Sequence, residues 1–164
     1  MLNILVLDPY PKAGHRICKD NAGAYGTANH YGNNLFCKFL NYFVKNSDLS
    51  PPLFAAQIIG ELINSGHNAK YNQEIDNFNY DLFIIISSIV CHETEIKKIE
   101  TLISNNKNVI VAGPFATSYP EPYLKAGAKV IFGEPDMFFH KFNLNLLEIN
   151  NLPSRIKNFK IYDI

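Results

Sequence analysis

Three short segments of this sequence place small hydroxyl residues or glycine directly after an apolar run, and a fourth segment is long and glycine-rich. In chain order they are 10–50, 87–92, 113–117 and 133–135. A hydroxyl group can hydrogen-bond a ligand, and a glycine lets the backbone approach it closely. Because the segments hold few charged residues, they favour a large neutral or amide-bearing ligand over a polyphosphate.

The usual phosphate-binding motifs are missing from the sequence. No GxxxxGK run followed by Ser or Thr is present, and no GxGxxG follows the first apolar run. Residues 23–26 (GAYG) resemble the second motif loosely, but they stand too far after Asp8 to open a helix directly. A nucleotide site of either kind is therefore not expected.

The elements that must position these segments alternate along the chain. Mostly apolar runs predict strands at 2–7, 81–90, 108–112 and 129–132, and residues 68–71 look like a further short strand. Helical patterns predict helices at 33–44, 53–64, 92–105 and 121–125, and from Met137 onward. The alternation predicts an α/β fold with helices on both faces of the sheet. Its expected form is a doubly wound five-stranded parallel sheet of Rossmann-like or flavodoxin-like order 2-1-3-4-5.

Ligands of such open sheets bind at the carboxyl ends of the strands, where the four segments begin. We therefore expect one site there. The sequence is divided into a domain at 1–145, with a glycine-rich insert at about 10–50, and a tail or linker at 146–164.

Two helices have core faces that periodicity predicts. In the second helix the apolar spacing selects Leu53, Ala56, Ile59 and Ile63. In the first, the aromatic residues Phe36, Phe39, Tyr42 and Phe43 are expected to pack onto the core, with docking of a further domain as the alternative.

Composition excludes several classes of protein. Fifteen Lys and Arg balance fifteen Asp and Glu, so no charge favours nucleic acid or an anionic membrane. The apolar runs are too short to span a bilayer, and the first residues lack the features of a signal peptide. Three well-separated cysteines without a CxxC pair argue against a disulfide framework or a zinc ribbon. A cytoplasmic protein is expected.

Three blocks of sequence carry a family resemblance: SPPLFAAQIIGELINSGH at 50–67, DLFIIISSIV at 81–90, and VAGPFATSYPEPYLKAGAKVIFGEPD at 111–136. Their order resembles the cobalamin-binding domain that precedes the catalytic barrel in B12-dependent radical SAM enzymes. In that family Pro-Pro-Leu precedes a helix ending in Gly-His. A Gly-Gly-Pro-x-Ala-Thr turn with a nearby Pro-Glu follows, and then a Gly-Glu-Gly-Glu turn. The segment GAYGTANHYGNN at 23–34 looks like the glycine-rich insert of some members.

The resemblance implies that a cobalamin corrin lies on the strand ends and that its nucleotide tail enters the sheet. The cofactor-binding residues that it implies are Ser87, Ser88, Ile89, Val90, Gly113, Pro114, Phe115, Ala116, Thr117, Gly133, Glu134 and Pro135. Gly113 would leave a path for the tail, so Gly113→Val is expected to abolish binding while the fold stays intact. His15 is a candidate cobalt ligand, and a loop histidine in solvent is the alternative.

Two motifs found in related proteins are missing. DxHxxG, which supplies a histidine to cobalt, does not follow the first strand, and the cluster motif CxxxCxxC is absent. An iron–sulfur cluster and SAM would therefore belong to another domain. The chain is interpreted as a fragment that catalyses nothing alone, with the radical SAM barrel of the same full-length protein as its partner. There cobalt would carry a methyl group or modulate radical chemistry.

Two other interpretations stay open. Ala112 stands where the family turn has its first glycine, and Pro135-Asp136 replaces the second Gly-Glu. Ala112 and the missing DxHxxG favour a degenerate domain that serves as an interaction surface without a cofactor. A flavodoxin-like or receiver-like binding module would share the strand order, but a receiver needs a cluster of acids where only Asp8 stands.

Overall fold

The computed structural model describes residues 1–10, 32–47, 51–139 and 145–157, with alternating strands and helices. The strands are β1 (Asn3–Leu7), β2 (Asn68–Asn72), β3 (Leu82–Ile86), β4 (Asn108–Ala112), β5 (Lys129–Phe132) and β6 (Arg155–Lys157). The longer helices are α1 (Leu35–Ser47), α2 (Leu53–Asn64) and α3 (His92–Ser104). The shorter helices are α4 (Pro114–Ser118), α5 (Glu121–Lys125), α6 (Pro135–Phe139) and α7 (Leu146–Asn150).

The described strands form one parallel sheet in the order β2-β1-β3-β4-β5-β6. The chain leaves β1 toward one edge to form β2 and then returns past β1 to form β3. The direction of winding therefore reverses between β1 and β3, which is the position where open sheets of this kind bind ligands. The predicted α/β class and the predicted order of the first five strands are confirmed.

Apolar strands build the middle of the sheet because branched and aromatic side chains suit a pleated strand that is covered on both faces. All five residues of β3 are buried, as are the last four of β1 and of β4. One face packs against α2, α6 and α7. The other packs against α3, α4 and α5.

Two predicted core faces are wrong. The buried residues of α2 are Ala55, Ile58 and Leu62. Of the four predicted residues, Leu53, Ala56 and Ile63 are exposed, and only Ile59 packs against the core, partly buried. This helix is apolar around most of its circumference, so its own periodicity does not select the face that meets the sheet. On α1, the side chains of Phe36, Phe39 and Tyr42 are exposed instead of packed into the core, and that of Phe43 lies outside the described residues.

The sheet has one strand more than the five predicted, and that strand lies in the segment interpreted as a tail. Residues of β6 pair with β5, in the register Val130↔Arg155, Ile131↔Ile156 and Phe132↔Lys157. Ile149 of α7 and Ile156 are buried against the same sheet face as α2. The chain up to residue 157 therefore contributes to the sheet.

Replacing Ile156 with alanine tests this contribution. The change removes a buried side chain at the sheet edge, and we expect the free energy of unfolding to fall by about 2 kcal/mol, the lower end of the range for buried isoleucine. Lys157→Ala, on the exposed face of the same strand, should change it by less than about 0.5 kcal/mol. Urea denaturation measures both, and equal small effects would show that Ile156 is not part of the core.

Within the described ranges, every helix is too short or too polar to cross a lipid bilayer.

Candidate functional site

A cavity of about 630 Å³ lies at the carboxyl ends of β3, β4 and β5. Its volume is within the range of about 300–1,000 Å³ that is usual for small-molecule sites. The residues that line it are Pro52, Phe54, Ile86, Ser87, Ser88, Ile89, Gly113, Pro114, Phe115, Thr117, Ser118, Gly133, Glu134 and Pro135. Segments that are distant in sequence therefore meet at one place in the fold.

The cavity has a buried floor and an exposed rim. Ile86, Ser87, Ser88 and Gly113 are buried. Ile89, Pro114, Ser118, Gly133 and Glu134 are exposed around the opening.

The lining is electrostatically simple. Of the described residues that form it, Glu134 alone carries an ionisable side chain. The remaining polar groups are hydroxyls and backbone amides, which bind neutral hydrogen-bonding ligands without a strong preference for charge. This chemistry agrees with the expectation of a neutral or amide-bearing ligand.

The Ser87 hydroxyl joins the end of β3 to the start of α4. The hydroxyl oxygen accepts a hydrogen bond from the backbone N–H of Ala116 at 3.0 Å. The N–H groups in the first turn of a helix lack partners within the helix, and the capping residue Gly113 has no side chain to supply one. Ser87 thus caps α4 from a neighbouring strand.

At Gly113 the backbone after β4 comes close to the backbone of Ser87. The Gly113 φ of 129° and ψ of 168° lie in a region that only glycine adopts readily. A Cβ atom there would lie 2.7 Å from Ser87 Oγ and 3.1 Å from the Ser87 carbonyl oxygen. The prediction that Gly113→Val leaves the fold intact is therefore wrong, because the new side chain would collide with Ser87.

The Thr117 hydroxyl connects the backbone after β4 to the backbone after β5. Its Oγ1 donates to the Gly113 carbonyl oxygen at 3.1 Å and accepts from the Gly133 N–H at 3.2 Å. Its single proton is therefore already used within the protein. The segment 113–117, which the sequence interpretation treated as a turn, is largely the helix α4.

A buried hydrogen-bond network holds the backbone of Ser88, which follows β3 and lines the cavity. The backbone N–H of Ser88 donates to Glu95 Oε1 at 2.9 Å, and the Tyr123 hydroxyl donates to Glu95 Oε2 at 2.6 Å. The side chains of Glu95 and Tyr123 are fully buried. The pKa of Tyr123 is raised far above its ordinary value, mainly by burial and also by the nearby Glu95. The phenol therefore keeps the proton that it donates.

Ten of the twelve predicted cofactor-binding residues line the cavity, and Val90 and Ala116 do not. Ala116 lies on α4 and is buried in the core, and its backbone N–H donates a hydrogen bond to the Ser87 hydroxyl. Val90 lies in the turn before α3, half-buried. His15 lies outside the described residues.

Sequence reasoning missed Pro52, Phe54, Ile86 and Ser118 as lining residues. Pro52 and Phe54 belong to the start of α2, which the topology brings over the ends of the strands. The Pro-Pro-Leu run at 51–53 was a signal for this position, because it fixes where α2 begins. Ser118 follows Thr117 directly, so a slightly longer segment would have included it.

Asp8 directly follows β1, the strand next to β3, and is also buried. Its Oδ2 accepts from the Tyr71 hydroxyl at 2.9 Å, and Tyr10 hydrogen-bonds the same carboxylate. Burial, followed by the charge of Asp8, raises the pKa of Tyr10. Two phenols thus cover the carboxylate, an arrangement unlike the open acidic cluster of a receiver domain.

The described residues contain no group of three His, Cys, Asp or Glu side chains that could hold a metal ion. Nor do the residues lining the cavity include a histidine or cysteine that could act as a nucleophile or a base.

Comparison with known proteins gives no match: no family model, curated protein or solved structure matches this chain significantly. The function must be inferred from the sequence and the geometry of the site.

Proposed function

We propose that this chain is a cobalamin-binding module of the kind that precedes the catalytic barrel in B12-dependent radical SAM enzymes. The observation that carries the proposal is the cavity at the carboxyl ends of β3, β4 and β5. It is lined by ten of the residues that the family resemblance implies, and by one ionisable side chain. A large and mostly uncharged cofactor suits a lining with a single ionisable side chain.

The residues present fit the nucleotide tail of cobalamin better than the whole cofactor. A cavity of about 630 Å³ is far smaller than the complete molecule, so the corrin ring would remain at the opening. The exposed rim residues Ile89 and Pro114 offer it apolar contact.

When bound, cobalamin supplies a cobalt ion that can carry a methyl group or modulate radical chemistry. This chain would bind and orient it. Ser87 and Thr117 would hold the walls of the cavity in place, and Phe54 and Ile86 would keep water from the tail. The reaction itself would need the radical SAM barrel of the same full-length protein.

Two related ligands test the proposal. Untagged protein is titrated with hydroxocobalamin and, separately, with cobinamide, which has the corrin ring but lacks the nucleotide tail. Because the cavity would hold the tail, we expect hydroxocobalamin to remain bound through gel filtration and cobinamide to bind at least tenfold more weakly.

A colourless protein peak at saturating hydroxocobalamin would instead favour a domain that holds no cofactor. Equal affinity for the two ligands would show that the tail does not occupy the cavity. Retention of flavin mononucleotide in place of hydroxocobalamin would favour a flavodoxin-like module.

A further inference from the structure

Glu95 is a fully buried carboxylate on the first turn of α3, and it faces the core instead of the solvent. A buried carboxylate costs stability unless hydrogen bonds compensate it, and an apolar residue would avoid this cost. Its two oxygens bind groups from two other elements, the Ser88 backbone N–H after β3 and the Tyr123 hydroxyl of α5. The carboxylate therefore connects three elements at one point.

The connection ends at the wall of the cavity. Ser88 lines the cavity, and its side chain accepts the Cys91 N–H at 3.2 Å. The following residue, Ile89, lies on the exposed rim, and its carbonyl oxygen lies 2.9 Å from Nδ1 of the His92 ring. Contacts from the start of α3 thus reach residues 88 and 89 in succession. One of them is the bond from the Ser88 N–H to Glu95 Oε1.

We propose that Glu95 is a positioning residue, which fixes the Ser88 wall so that the cavity is already shaped for its ligand. Tyr123 in turn fixes the Glu95 carboxylate from the opposite side. The inference rests on the proposed function for the identity of the ligand, but the effect on the wall is independent of that identity. A loop that is held before binding loses less conformational freedom when the ligand arrives.

Three variants separate positioning from stability. Glu95→Leu removes the acceptor for the Ser88 N–H, whereas Glu95→Gln keeps a carbonyl oxygen for it and an N–H₂ group that can donate to the Tyr123 oxygen. Ile99→Ala is the matched control, because Ile99 is a fully buried residue one turn later on α3 and lies in the core away from Ser88. All three variants are expected to lower the melting temperature.

The first readout needs no ligand. Amide hydrogen exchange of Ser88, relative to that of Ile84 in the middle of β3, should become at least tenfold faster in Glu95→Leu. It should stay near the native ratio in Glu95→Gln and in Ile99→Ala. An unchanged ratio in Glu95→Leu would overturn the proposal.

The second readout is the Kd for hydroxocobalamin. We expect it to rise about tenfold in Glu95→Leu and to stay within about twofold of the native value in Glu95→Gln and Ile99→Ala. A Kd that follows the melting temperature across all three variants would show a merely structural role. If the native protein binds no hydroxocobalamin, the proposed function fails, while the exchange ratio still decides whether Glu95 sets the wall.

Discussion

Replacing Gly113 with alanine is expected to lower the free energy of unfolding by roughly 3 kcal/mol. A non-glycine residue in this region of φ and ψ costs about 1–3 kcal/mol. The new Cβ would also lie 2.7 Å from Ser87 Oγ and 3.1 Å from the Ser87 carbonyl oxygen. Relief of that contact would move the hydroxyl that caps α4, so the hydrogen bond from Ala116 would weaken as well.

Gly60→Ala is the matched control for this change. Gly60 lies inside α2, and a Cβ there meets nothing within 4 Å. Alanine is the better helix former, so the control should raise the free energy of unfolding by about 0.5–1 kcal/mol. Urea denaturation of both variants gives the comparison. A Gly113→Ala protein as stable as the native one would contradict the close approach of β4 to Ser87.

The middle of the sheet could be predicted from the sequence because its strands are unbroken apolar runs. The five residues at 82–86 are all apolar and all buried. Strand β6 has no such pattern, since its only buried residue, Ile156, stands between Arg155 and Lys157. Its place depends on pairing with β5, which is a contact between distant parts of the chain.

Three of the segments that form the cavity could also be predicted, because they follow apolar strands in a fold whose strand ends meet, whereas the start of α2 was missed. The roles of their side chains could not. The hydroxyls of Ser87 and Thr117 were predicted as ligand contacts, but each makes a hydrogen bond to a neighbouring wall. Which hydroxyl meets which N–H depends on how α4 sits between β4 and β5.

The burial of Glu95 could not be predicted from the sequence either. Its position on an otherwise amphipathic helix, among Glu93 and Lys97, suggests an exposed charge. Its burial follows from the packing of α3 against α5, which brings the Tyr123 hydroxyl to its carboxylate. The sequence carries no local signal for that partner.

Filling the cavity from its rim should abolish most of the ligand binding. Ser118 lines the cavity at the end of α4 and is exposed. A tryptophan at this position would occupy space at the opening without replacing a buried side chain. We therefore expect Ser118→Trp to raise the Kd for hydroxocobalamin at least tenfold, which corresponds to about 1.4 kcal/mol, with little change in melting temperature.

Ser104→Trp is the control, because Ser104 is an exposed serine at the end of α3, away from the carboxyl ends of the strands. The decisive measurement is a hydroxocobalamin titration of the native protein and these two variants under the same conditions. Binding by the native protein and by Ser104→Trp with similar Kd, together with a loss of at least tenfold in Ser118→Trp, is the result that the proposed site predicts. Equal binding by all three proteins would place cobalamin elsewhere on the molecule, and no binding by the native protein would exclude the proposed function.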